Sequence, residues 1–239
     1  MSISTSLKKK LLNNTGFFEG NKGYSTVSGN FDGQGISFGI IQFNFGQGSL
    51  EPLLKDYIND YESEYNSVFG SKAQELKKVV FDYSKSQQIS WGGSITASDN
   101  YNLKSEWKAL FEDMGSKLNN QNLQVKHAQS YFNRALSLAS QYEITSTQGL
   151  AFLFDQSVHE WSWSESDSVV KEDLLYWADE YFRIEKKRMP DSDRCGTLLS
   201  YVRTRDGKNR RTAIRNGSGT VHEKDYDVSD FGLSFSDTF

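Results

Sequence analysis

The chain has 239 residues, 36% hydrophobic and 14% aromatic, and carries 27 basic against 31 acidic side chains for a formal net charge of −4. That length supports one large domain or two small lobes around a real core. The aromatic content excludes a disordered chain, and the acidic balance argues against a dedicated nucleic-acid binder. Cys195 is the single cysteine, which excludes an intramolecular disulfide and any metal site built on several thiols.

In chain order, the first predicted element is a short helix over residues 4–14, ended by the breaker Asn13-Asn14-Thr15-Gly16; residues 17–23 follow as a turn or a last helical turn. The lysines here are not followed by an apolar run, so the segment does not read as a cleavable secretory signal. No stretch reaches the length of a membrane span. The chain is therefore expected to be made in the cytoplasm and, if it acts outside, to be carried by lysis, a dedicated secretion machine or fusion. From residue 24 the text changes to glycine, serine and β-formers: SGNFDGQG is turn-rich and ISFGIIQFNF reads as a buried strand, predicting a small antiparallel sheet.

Helical patterns then fill 49–64, 71–88, 103–118, 122–142, 146–160, 168–188, 193–204 and 208–215. Ser49 before Glu51 and Pro52, and Ser168 before Val169, read as helix starts. ISWGGSITASDNYN, over 89–102, reads as the linker between lobes, and the tail from Gly217 onward either packs as extended chain or is partly loose at its end. The expected architecture is one α+β catalytic domain, mostly helical. It comprises an N-terminal part over 1–90 with the sheet, a helical part over 103–216, an extended tail over 217–239, and a cleft between the lobes.

Several chemistries lack their motifs. There is no phosphate-binding GxxxxGK[ST] loop and no GxSxG nucleophile elbow. His159-Glu160 begins like a zinc helix, but HEWSW lacks the second histidine, and the chain has three histidines in all. No metal or other cofactor is expected.

Residues 31–48, FDGQGISFGIIQFNFGQG, place five glycines around an apolar run opened by Asp32; Glu19 lies just upstream in GFFEG. Cleaving a glycosidic bond takes one carboxyl that protonates the leaving oxygen and a second that activates water. Glu19 follows Phe17 and Phe18, an apolar setting that favours the protonated acid; Asp32 sits in a glycine-rich turn, a hydrated setting that favours the ionised base. On the bland reading the same stretch is a glycine-rich structural hairpin.

The segment DGQGISFGIIQF, over 32–43, resembles the DGRGYTAGIIGF-type segment of family 46 chitosanases in the lysozyme superfamily. The resemblance implies a lysozyme-like, two-lobed fold with Glu19 as general acid, Asp32 as general base and Ser37 holding the attacking water. It also implies an inverting reaction, whose carboxyls stand about 6.5–9.5 Å or more apart. The Glu-to-Asp interval is shorter than is typical of that family. GNFDGQGISFGIIQFNFGQGSLEPLL looks closer to chitosanase-like muramidase domains of phage cell-wall hydrolases and secreted antibacterial effectors. That likeness implies the peptidoglycan glycan strand as substrate, and an immunity protein or secretion carrier as partner. Chitosan hydrolysis and a non-catalytic wall-binding module are the alternatives.

Further contact candidates are Tyr24, for stacking on a sugar, and Gln42 and Gln47, as amide partners of acetamido groups. In AFLFDQSVHEWSW, Asp155, Gln156 and His159 are expected on the far wall of the cleft, Asp155 and His159 sharing a helix face. The basic run RTRDGKNRRTAIR, over 203–215, reads either as a solvated face or as an attraction for an anionic polymer.

Overall fold

The computed structural model describes residues 3–20 and 22–239. They form twelve α-helices and two small antiparallel sheets. The fold is α+β and mostly helical, with its first sheet near the N-terminus, as expected. The chain divides into two compact units: Met1–Phe18 with Gln129–Phe239, and Glu19–Ala128.

The second of these holds the three-stranded sheet β1 (Val27–Ser28), β2 (Ser37–Phe38) and β3 (Phe43–Asn44), in the order β1-β2-β3. The expected single strand over 36–45 is thus two strands, because Gly39 (φ +85°) and Gln42 (φ +55°) turn the chain back between them. Six helices follow: α2 (Leu50–Asp60), α3 (Glu62–Phe69), α4 (Ala73–Asp82), α5 (Lys85–Ile95), α6 (Ser105–Ser116) and α7 (Leu118–His127). Much of the aromatic excess is spent here. Phe38, Phe69, Trp107 and Phe111 meet with ring centroids 5.6–6.3 Å apart, and Trp91 stands edge-on to Trp107 at 5.0 Å.

The first half of the expected linker over 89–102, as far as Ile95, is helix α5. Ser84 caps it in a reciprocal box with Gln87, and Gly92 lets its backbone lie against Gly35, where a β-carbon would come within 3.0 Å.

The other unit holds α1 (Thr5–Glu19) as far as Phe18, together with α8 (Gln129–Gln141), α9 (Thr147–His159), α10 (Asp167–Glu185), α11 (Asp191–Leu198), α12 (Arg205–Asn216) and the hairpin β4 (Ser218–Val221) to β5 (Lys224–Asp227). Helix α1 runs through its presumed breaker. Asn14, Thr15 and Gly16 are buried within it, and Asn14 Oδ1 accepts a 2.6 Å hydrogen bond from the Tyr226 hydroxyl. The expected turn over 17–23 includes residue 21, which lies outside the described residues.

Helix α10 starts on Ser166 rather than Ser168: the Ser166 hydroxyl accepts from the Val169 N–H at 3.4 Å. Thr204 caps α12 in the same way, and Gly217, at φ +82°, ends it. The tail packs as the extended hairpin β4–β5 followed by a short helical turn, Val228–Phe231. After the hairpin it is pinned to the start of α9, where Thr147 N donates to Asp237 O at 2.8 Å and Ser146 bridges Thr238. The packed centre of this unit includes Leu11, Leu12, Phe152 and Leu174, with Phe132 and Phe154 stacked at 4.6 Å.

Candidate active site

The sheet is held by one side chain of α7. Gln124, fully buried, accepts from Ile40 N at 2.9 Å and donates to Tyr24 O at 2.9 Å and to Asn120 Oδ1 at 2.8 Å. Gly39 makes this possible, since a β-carbon there would stand 2.3 Å from Gln124 Oε1. The close backbone approach at Gly39 is thus made to a protein amide.

Cross-strand register aligns Ser28, Ser37 and Asn44, and aligns Val27, Phe38 and Phe43. Directly paired residues share a sheet face, so one face is a polar row centred on Ser37 and the other carries Phe38 onto Phe111. Ser37 is 5% exposed.

The loop from β1 to β2 carries Asp32 at its surface. Asn30 Oδ1 accepts from Gly35 N at 2.7 Å, which folds the loop, and Asp32 Oδ1 accepts from Gln34 N at 3.1 Å. Gly33, at φ +77°, faces open space. Glu19 is the last residue of α1 and is partly buried, whereas Asp32 is exposed.

Gln42 is anchored by its side chain, which accepts from Ser28 Oγ at 3.1 Å and donates to Gly39 O at 2.8 Å. Gln47 is exposed, with its backbone N–H on Asn44 Oδ1 at 2.7 Å. Tyr24 is half-buried. Its hydroxyl has no hydrogen-bond partner among the described residues, and burial pushes its pKa up to about 12. Asp32, Ser37, Tyr24, Gln42 and Gln47 thus belong to one sheet and its loops, and Glu19 opens the same unit.

Asp155, Gln156 and His159 lie in the other unit, on α9. Asp155 and Gln156 are both fully buried. Asp155 receives Arg210 Nη2 at 2.6 Å and faces Arg211 Nε at 3.4 Å, while Gln156 donates to Ser162 O at 3.0 Å. The expectation that these two side chains line a sugar-binding wall is corrected accordingly: they are interior fasteners of α9. His159 is partly exposed and meets Asp206 at 3.2 Å.

Much of the basic run is absorbed in the same network. Arg210 and Arg211 are buried, Arg211 also faces Glu160 at 3.4 Å, and Arg215 donates to Ser192 O at 2.8 Å. Burial works against ionisation of Glu160, but hydrogen bonds from Thr204 and the Arg203 N–H, with the Arg211 charge, outweigh it and hold the carboxyl below its ordinary value. Cys195 is fully buried, and burial raises its thiol pKa well above the usual range, which disfavours the reactive thiolate. Among the described residues, no cluster of three or more His, Cys, Asp or Glu could hold a metal ion, and no helix is long and apolar enough to cross a membrane.

Sequence reasoning passed over Phe31 and the loop around Tyr101, both in the same unit as Asp32. The Asx-rich ASDNYN was a signal for a tightly built turn, but it does not say which surface such a turn adjoins.

Helices around a three-stranded antiparallel meander, entered from the first helix, define the class: this is the lysozyme-like fold of the chitosanases. The native chitosanase from Bacillus subtilis MY002 superposes with a TM-score of 0.59 at 12% identity, covering 95% of this chain and 98% of that one. A mutant of the same chitosanase complexed with 6 GlcN gives 0.56 at 11% over the same shares. At such identity the likeness is one of fold. No family model matches the sequence, and no curated protein matches it significantly.

Proposed function

We propose that this chain is a glycoside hydrolase, a single catalytic domain cutting β-1,4 bonds of an amino-sugar polymer by an inverting acid–base reaction. One observation carries the reading. Glu19 closes the first helix and Asp32 sits at the surface of the loop joining the first two strands of the meander, within a fold shared by solved chitosanases. Glu19 protonates the leaving oxygen, Asp32 takes a proton from water, and Ser37, beside Ser28 and Asn44, steadies that water.

The peptidoglycan glycan strand is the polymer favoured by the sequence resemblance to chitosanase-like muramidase domains. That resemblance also makes an immunity protein or secretion carrier the partner, and the cell wall, reached by secretion, fusion or lysis, the place of action. The basic run gives this choice less support than its composition promised, since Arg210 and Arg211 are buried. Chitosan is the second reading, favoured by the fold neighbours.

Glu19→Gln and Asp32→Asn should each lower turnover by about 10²–10⁴-fold and leave thermal unfolding unchanged. Reducing-end release from purified sacculi and from soluble chitosan, with mass spectrometry of the products, measures this and separates the polymers. A fully active Glu19→Gln protein would end the assignment.

A further inference from the structure

Phe31 and Tyr101 stack with ring centroids 5.3 Å apart and planes 11° from parallel, yet they are 51% and 66% exposed. Among the described residues no other parallel ring pair has both members exposed: Phe132–Phe154 and Phe18–Tyr226 are buried, Tyr226–Phe231 has Tyr226 buried, and the exposed Tyr176–Trp177 pair is edge-on at 77°.

The pair is held in place by backbone. The loop carrying Tyr101 is closed by the Thr96–Leu103 bridge and by Ala97 N on Asn102 O at 2.7 Å. Inside it, Asp99 Oδ1 accepts from Tyr101 N and Asn102 N, each at 2.9 Å. This loop is tied to the one bearing the proposed base: Gly29 N donates to Tyr101 O at 2.7 Å, and Asn30 N to Thr96 Oγ1 at 3.1 Å. Gly29 is required for that contact, since a β-carbon there would stand 2.6 Å from Thr96 Cγ2 and 2.9 Å from Asn100 O.

Two flat rings are thus fixed at the surface, one of them adjacent in sequence to Asp32. Core packing does not account for rings this exposed, because burial is what normally drives aromatic packing. A β-linked pyranose presents a face of axial C–H groups, which packs on a flat aromatic and needs no hydrogen bond from it. The neighbouring side chains Asp32 and Asn100 are polar and exposed, suited to the hydroxyl and amide rim of such a ring.

We propose that the Phe31–Tyr101 stack is a sugar platform that seats one pyranose of the amino-sugar chain beside the bond addressed by Asp32. This rests on the hydrolase reading above and adds residues that set affinity and register.

The test uses the full chain with soluble glucosamine hexamer and with soluble peptidoglycan glycan strands. KM and kcat are measured on the active protein, and affinity by calorimetry on Glu19→Gln. Tyr101→Ala and Phe31→Ala should weaken affinity and raise KM about tenfold, the scale of one lost aromatic contact, with kcat within about twofold. Tyr101→Phe should behave as the parent. Tyr101→Leu, which keeps apolar cover but lacks a flat face, should behave as Ala. Melting temperatures of all variants establish that each is folded.

If Tyr101→Leu matches the parent, or both Ala variants bind normally while the parent hydrolyses glycan, the platform is overturned and the hydrolase reading stands. If Glu19→Gln is active while the Ala variants lose binding, the acid assignment falls and the platform stands. A parent that binds neither glycan overturns both.

Discussion

Asp99 and Asp32 lie in loops of the same unit and use their carboxylates differently. Asp32 spends one oxygen on a single backbone N–H, leaving it open to water. Asp99 gives both oxygens to its own loop: Oδ1 to Tyr101 N and Asn102 N, Oδ2 to Asn102 Nδ2 at 2.8 Å. The backbone and side-chain hydrogen bonds from Asn102, with that from Tyr101 N, hold the Asp99 carboxyl below its ordinary 3.8. A depressed value means that the charged form is favoured by folding. Its contribution is complete above the ordinary value and is lost as pH falls through the lower folded one. The expected outcome is that the Asp99 hydrogen bonds inside the Tyr101 loop hold from neutrality down to about pH 4 and weaken as pH falls further. Amide exchange at Tyr101 and Asn102, followed against pH by NMR, checks this; protection that is flat below pH 3.8 would contradict it.

At the scale of elements, the meander depends on a helix distant in sequence. Two-residue strands make few ladder hydrogen bonds, and an isolated hairpin of that size is not stable in water. Gln124 of α7 supplies what is missing by satisfying Ile40 N and Tyr24 O from inside the unit. Gln124→Leu keeps the volume but strands those backbone groups, so it should cost about 2–3 kcal/mol. Urea denaturation at constant m-value measures it, and a change under about 0.5 kcal/mol, the range of ordinary surface substitutions, would refute the role. The loss should also reduce turnover, because Ser37 sits on the central strand that this contact fixes.

At the scale of the whole molecule, the two units are built differently. Glu19–Ala128 is one continuous segment, whereas the other joins Met1–Phe18 to Gln129–Phe239. The discontinuous unit is fastened by contacts far apart in sequence, including Lys10 Nζ on Gly232 O at 2.8 Å and the buried Asp155–Arg210 pair at 2.6 Å. A buried pair is weak evidence for net stability, but removing one partner strands the other charge. Asp155→Ala should therefore destabilise this unit by about 3–5 kcal/mol. The expected readout is an unfolding curve with a separate earlier transition, followed by the near-ultraviolet signal of its tryptophans, Trp161, Trp163 and Trp177. An unchanged curve would contradict the role.

By itself the sequence determined what depends on neighbours along the chain. Helix α9, expected over 146–160, runs Thr147–His159, because Ser146 and an apolar face act locally. A small sheet entered by a turn-rich loop and the surface placement of Asp32 were legible for the same reason, since glycine and asparagine fix local backbone, but the second turn at Gly39–Gln42 was not. Tertiary structure decided the rest. It carried α1 through Asn14-Thr15-Gly16, because Tyr226 satisfies Asn14 inside the unit, and it carried α5 through Gly92, where the glycine lets a helix lie against Gly35. It broke the helical runs at Tyr61, Ser84 and Ala128 with neither glycine nor proline to announce it. It also took Asp155, Gln156, Arg210 and Arg211 out of solvent, and stacked Phe31 on Tyr101 across 70 positions. Burial and pairing are properties of surfaces that meet only after folding, so a polar side chain read along the chain shows its chemistry and not its company.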